Sequence, residues 1–208
     1  MNSRTFLWIE DQRGKAGFIF WKRLLQQLCP DIKVESKTNN SELVKAVRNL
    51  KDTKNRYIIV LDNSFDNLQV ALEQKRLREY VEEKTNVALM NIVCFEYILL
   101  EFRKLIDWIY APEDEFRIKR AGVIAAREKI LDSIQSGDMD YKAIKEIIEY
   151  DKNIDEHNVE QIVAKILFDL TRNTGLDYSK LSIYDKMKII YEETCLKEQF
   201  SMAGLEVA

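Results

Sequence analysis

The sequence predicts an α/β domain with a parallel four-stranded sheet and flanking helices, followed by an all-helical carboxyl-terminal region. Three observations predict it. Short β-branched or aromatic runs alternate with amphipathic stretches through the first half, the pattern of strands joined by crossover helices. One run, YIIVLDN at 57–63, is continuously apolar until it meets an acid, as expected of a central strand buried on both faces. Beyond Pro112 every periodic stretch has helical spacing and no run reads as a strand.

The strands are expected at 5–10, 32–36, 57–61 and 87–93. Between the first three lie amphipathic stretches at 18–28 and 41–50, and 68–84 leads to the fourth. Next comes CFEYILLEFRKLIDWIYA at 94–111, read as one helix. Its apolar residues, Phe95, Leu99, Leu100, Phe102, Leu105, Ile106 and Trp108, are too many for a single buried stripe, so it should pack between the sheet and the second half, leaving Trp108 and Tyr110 free for a partner. Pro112 and the acids at 113–115 stop it, which divides the chain into 1–112 and 113–208. The second half then offers helices at 116–134, 141–150, 156–172 and 183–198, with Gly137, Asn153 and Gly175 at the breaks and Asp140 and Asp155 as caps. Ile183, Met187, Ile190 and Tyr191 recur at helical spacing in excess of what a small bundle needs, so some are expected to line an interface with a protein partner or a second copy, the alternative being that they belong to the core.

Composition bounds the class. An apolar fraction of 46% and a charged fraction of 32%, with six Gly and two Pro, exclude a disordered or fibrous chain. The first residues meet charges too soon for a secretory leader and no apolar run spans a bilayer, so a cytoplasmic protein that does not enter the membrane is expected. Cys29, Cys94 and Cys195 form no CxxC pair and read as buried reduced thiols. A net charge of −3 leaves room for a local basic stripe but not for a surface coated with phosphate-binding residues.

Open parallel sheets bind ligands in the crevice at the carboxyl ends of their strands. The first strand ends in Glu10 and Asp11, the third in Asp62 with Asp66 just after, and Glu96 follows the fourth. Carboxylates gathered there repel, and the usual remedy is a hard divalent cation bound through oxygen, Mg²⁺ or Mn²⁺. The other reading is that these acids cap the following helices or lie on solvated loops.

At these residues the chain resembles the Toprim domain, in particular its RloB-like and OLD-nuclease-like branches. The resemblance rests on FLWIED, IIVLDNSFDN and NIVCFEYILLEF in that order and covers about the first 110 residues. It implies a Mg²⁺-dependent nuclease of defence type acting on nucleic-acid phosphodiesters. Glu10 would be its general acid/base, Asp62 and Asp66 its metal acids, and Asp11 and Glu96 additional acids. The family's second metal motif is Asp-x-Asp, whereas Ser64 follows Asp62 here, and Asp11 stands where the family has Gly. These departures fit equally a catalytically degenerate protein whose helical half binds a partner.

Glu10, Asp11 and Asp62 also match the acid set of a phospho-receiver, but the hydroxyl residue after strand four and the Lys after strand five are missing. His157 has no triad or metal partners nearby in sequence and reads as a surface residue. Gly14, Lys15 and Gly17 lack the rest of a phosphate loop, so the glycines should loosen the turn after strand one. The basic groups at Lys22 and Arg23, at Lys75, Arg76 and Arg78, and at Arg117, Lys119, Arg120 and Arg127 read as solvated faces. If the resemblance holds, Lys15, Lys22 and Arg23, nearest the acids, become phosphate contacts.

Overall fold

The computed structural model describes residues 3–63, 68–109, 117–137, 144, 159–172, 174 and 187–207. Four strands, β1 (Thr5–Ile9), β2 (Lys33–Ser36), β3 (Arg56–Asp62) and β4 (Val87–Ile92), form one parallel sheet in the order β2-β1-β3-β4. The crossovers are α1 (Ala16–Leu28), α2 (Asn40–Arg48) and α3 (Leu68–Glu82). After the sheet come α4 (Phe95–Glu101), α5 (Leu105–Ile109), α6 (Arg117–Ser136), α7 (Val159–Thr171), α8 (Met187–Glu193) and α9 (Leu196–Met202). The expected α/β half and helical half are both present. No helix among the described residues is long and apolar enough to cross a membrane.

Side chains alternate across each strand, so β1, β3 and β4 each feed two cores. Leu7, Ile9, Ile58, Val60, Met90 and Ile92 enter the larger one, together with α1 and the helical half. Trp8, Tyr57, Ile59 and Leu61 enter the smaller one under α2 and α3, where the Phe6 and Tyr57 rings stack 5.4 Å apart. Residues drawn from β1 through α9 thus share one apolar cluster. On α7, Val159, Ile162, Val163, Ile166, Leu167 and Leu170 supply the i, i+3, i+4 stripe that such a contact needs.

Several details differ from the sequence reading. The apolar stretch 94–111 is two helices, because the chain leaves helical geometry at Phe102 (φ −60°, ψ 112°). Arg127 on α6 explains where the break is tolerated: its Nε donates to Leu100 O at 2.7 Å and its Nη2 to Glu101 O at 3.2 Å, satisfying carbonyls that α4 leaves open. Arg120, seven residues earlier, donates to Leu170 O and Arg172 O at the end of α7. Both guanidiniums are buried, at 5% and 4% exposure, so the expected solvated face is instead a pair of helix-end clamps. The stretch 183–198 also breaks, at Thr194 and Cys195, where Cys195 N donates to Glu101 Oε2 at 2.8 Å.

Met187 and Ile190 are fully buried within the chain, so they belong to its core rather than to the expected interface, while Tyr191 packs on Phe200. Ile183, Asp140, Asp155, Gly175 and Tyr110 lie outside the described residues. The carboxyl end returns to the sheet. Leu205 N donates to Phe200 O and Gly204 N to Ser201 O, a Schellman ending that requires Gly204 at φ 60°. Arg56, the first residue of β3, then donates to the Ala203 and Gly204 carbonyls. All three cysteines are free; Cys29 and Cys94 are buried and Cys195 is half-buried.

Candidate active site at the carboxyl edge of the sheet

From β1 the chain crosses to β2 on one side, and from β3 to β4 on the other. The order therefore reverses between β1 and β3, which opens a crevice outside their carboxyl ends. Glu10 and Asp11 follow β1 directly, and Asp62 is the last residue of its neighbour β3. Beside them, Ile92 of β4 pairs with Asp62, and Cys94 is the N-cap of α4, whose first turn carries Glu96. Four acids expected from the sequence are thus delivered to one edge.

Backbone contacts hold this edge in register. Lys37 N donates to Ile9 O at 2.7 Å and Asn63 N to Ile92 O at 2.8 Å. From α3, the buried Gln74 donates to Asp62 O at 2.6 Å, and Arg78 reaches Asn63 Oδ1 at 3.0 Å and Asn91 Oδ1 at 3.3 Å. Asp11 lies against the start of α1, where the free amides and the helix dipole favour an anion. The fit needs Gly17: a Cβ there would fall 2.6 Å from Asp11 Cγ. Gly14 has the positive φ (85°) expected of a loosened turn, whereas Gly17 does not and instead makes room for a carboxylate.

Each of these carboxyls is half-buried, and all but Asp11 are raised by neighbouring acids as well as by burial. Burial first, then Asp11 and Glu160, push Glu10 up to about 7, while a hydrogen bond from Asn40 favours the charged form. Asp62 is pushed well above the usual carboxylate range by burial and then by Glu10, Asp11, Glu160 and Glu96. Glu96 rises to about 8, chiefly through burial, with Glu160 and Asp11 adding to it and its backbone amide and Cys94 opposing. Asp11 is raised by burial. The Cys94 thiol is driven far up by burial, then by Glu96, Asp62 and Glu160, which favours its protonated form.

Two participants, Glu160 and Asn40, were missed by the sequence reading. Glu160, an exposed residue in the first turn of α7, acts on Glu10, Asp62 and Glu96 from the helical half. Only the packing of α7 on α4 brings it there, so no local pattern announces it. Asn40 starts α2, and its placement did have a signal. Asn39 caps that helix by accepting from Glu42 N at 2.9 Å, and Asn-x-x-Glu is a capping-box spacing. Thr38, at φ 68°, makes the tight turn that brings Asn40 back toward β1.

Of the remaining candidates, Asp66 and Ser64 lie outside the described residues, as does His157. Lys15 is the exposed N-cap of α1, and Lys22 and Arg23 are exposed along that helix. The donors at the crevice are carboxylate oxygens, which suit a hard cation in type. Among the described residues, however, no three His, Cys, Asp or Glu side chains are placed so that they can share one ion. No family model, curated protein or solved structure matches this chain.

Proposed function

We propose that this protein hydrolyses nucleic-acid phosphodiesters with Mg²⁺ or Mn²⁺ at the carboxyl edge of its sheet, as its resemblance to the Toprim domain implies. The observation that supports this most is the meeting of Glu10, Asp11, Asp62 and Glu96 at the reversal point between β1 and β3, with their hold on protons strengthened by burial and, for Glu10, Asp62 and Glu96, by neighbouring acids. Such a group binds either protons or cations at neutral pH. In this reading Asp62 and Asp66 hold the ion, and its bound waters account for carboxylates that gather without converging on one point. Mg²⁺ at such a site polarises phosphoryl oxygens and activates water. Glu10, at about 7, is half-protonated near neutrality, the range in which a carboxyl both takes and gives a proton, and Asn40 orients it.

The experiment is cleavage of plasmid and of single-stranded oligonucleotides by the purified full chain with Mn²⁺. Activity should vanish in Glu10→Gln while the circular dichroism spectrum is unchanged; cleavage that survives the substitution refutes this assignment. A second reading, a catalytically degenerate protein that captures a partner through its helical half, is favoured by the lack of a three-ligand group among the described residues. It predicts no cleavage with any metal and no change in melting temperature with millimolar Mg²⁺ or Mn²⁺.

A further inference from the structure

Residues 12–30, the later part of the β1–α1 loop together with α1, contain four cations, Arg13, Lys15, Lys22 and Arg23, and no acid, in a chain with 35 acids and a net charge of −3. All four are exposed. This is the local charge reversal that marks a surface for a polyanion. Two of the four, Arg13 and Lys22, line a groove of about 460 Å³ between α1 and the edge strand β2. Phe18 and Gln26, one turn on either side of Lys22 on α1, and Ile32 and Val34 complete its walls. The groove is therefore partly apolar and partly cationic, with Asp31 its one acid. Lys33 also borders it, but its ammonium is engaged with Glu35 at 2.9 Å.

We infer that this groove holds a single nucleic-acid strand, with phosphates on Arg13 and Lys22 and a base against Phe18. The inference rests on the proposed phosphodiesterase reading, to which it adds the path of the substrate. Arg13 lies two residues beyond Asp11, so the strand runs from the groove across the β1–α1 loop to the acids. Alternating cations and an aromatic surface are what sequence-tolerant single-strand binding requires, whereas an acidic peptide would use the cations and leave Phe18 without a role.

The test is fluorescence anisotropy of a labelled twelve-residue oligothymidylate with the full chain in EDTA, from 20 to 200 mM NaCl, where cleavage cannot contribute. Two phosphate contacts, on Arg13 and Lys22, give a slope of log K against log salt near −1.4, about −0.7 per contact. Arg13→Ala/Lys22→Ala should reduce the slope by about 1.4. Phe18→Leu, which keeps an apolar side chain on the core, should weaken binding severalfold and leave the slope unchanged. Absence of binding, an unaltered slope in the double variant, or equal competition by polyglutamate of the same charge each overturns the inference. Binding that persists in Glu10→Gln while no metal supports cleavage refutes the hydrolytic reading and leaves the groove assignment standing. Cleavage without any role for Arg13, Lys22 and Phe18 does the reverse.

Discussion

Replacing Glu10 by Gln should stabilise the metal-free protein at pH 8 and change little at pH 4.5. Glu10 titrates near its ordinary value of 4.5 when unfolded and at about 7 when folded. Between those values the folded state binds more protons than the unfolded one, so stability falls as pH rises through the window. The contribution is fully present below pH 4.5 and is lost above pH 7. The rise from 4.5 to about 7 corresponds to about 3 kcal/mol. Glu10 titrates together with Asp62 and Glu96, so the measured gain should lie at or below that figure. The assay is urea denaturation of wild type and Glu10→Gln at pH 4.5 and 8 in EDTA, compared at a shared m value. The variant should lead by roughly 1–3 kcal/mol at pH 8 and by less than about 0.5 kcal/mol at pH 4.5. A difference that is the same at both pH values, or that favours wild type at pH 8, refutes the view that burial and neighbouring acids raise Glu10.

Three other expectations follow from the packing. Arg127→Met removes charge-assisted bonds to Leu100 O and Glu101 O in a buried setting and should cost about 2–4 kcal/mol in urea denaturation; a loss below 1 kcal/mol would show those carbonyls to be satisfied otherwise. Gly17→Ala should displace the Asp11 carboxylate from the start of α1, at a cost that the gain in helix propensity offsets to within about 1 kcal/mol, and should stabilise outright in the double variant with Asp11→Ala; additive effects would separate the two residues. Truncation after Arg172 should leave the α/β half unfolded by circular dichroism, because Met187, Ile190, Leu196 and Phe200 are fully buried in the cluster that includes the sheet. A folded truncated protein would contradict that shared core.

The fold is legible in the sequence where a local pattern carries the physics. Strands announce themselves by β-branched runs, and their ends by the first acid, so Glu10, Asp11 and Asp62 were legible as crevice residues before any order of strands was known. Long helices read as single elements failed at Phe102 and Thr194, where partners remote in sequence, Arg127 for the first and Glu101 for the second, bond the backbone at the break. Arg120 and Arg127 misled for a related reason. Charge pattern alone cannot tell a solvated guanidinium from one that caps a helix in the core.

The sequence by itself determined the alternation of strands and helices, the acids at the strand ends and the basic, acid-free segment at 12–30, because each depends on residues within a few positions of one another. Only the tertiary structure decided that β1 and β3 are neighbours with the order reversing between them, that Asn40 bonds Glu10, and that Glu160 reaches the same acids from the helical half. Those are relations between distant segments. They are set by which apolar faces find each other when the sheet is covered, and no period or spacing along the chain records that choice.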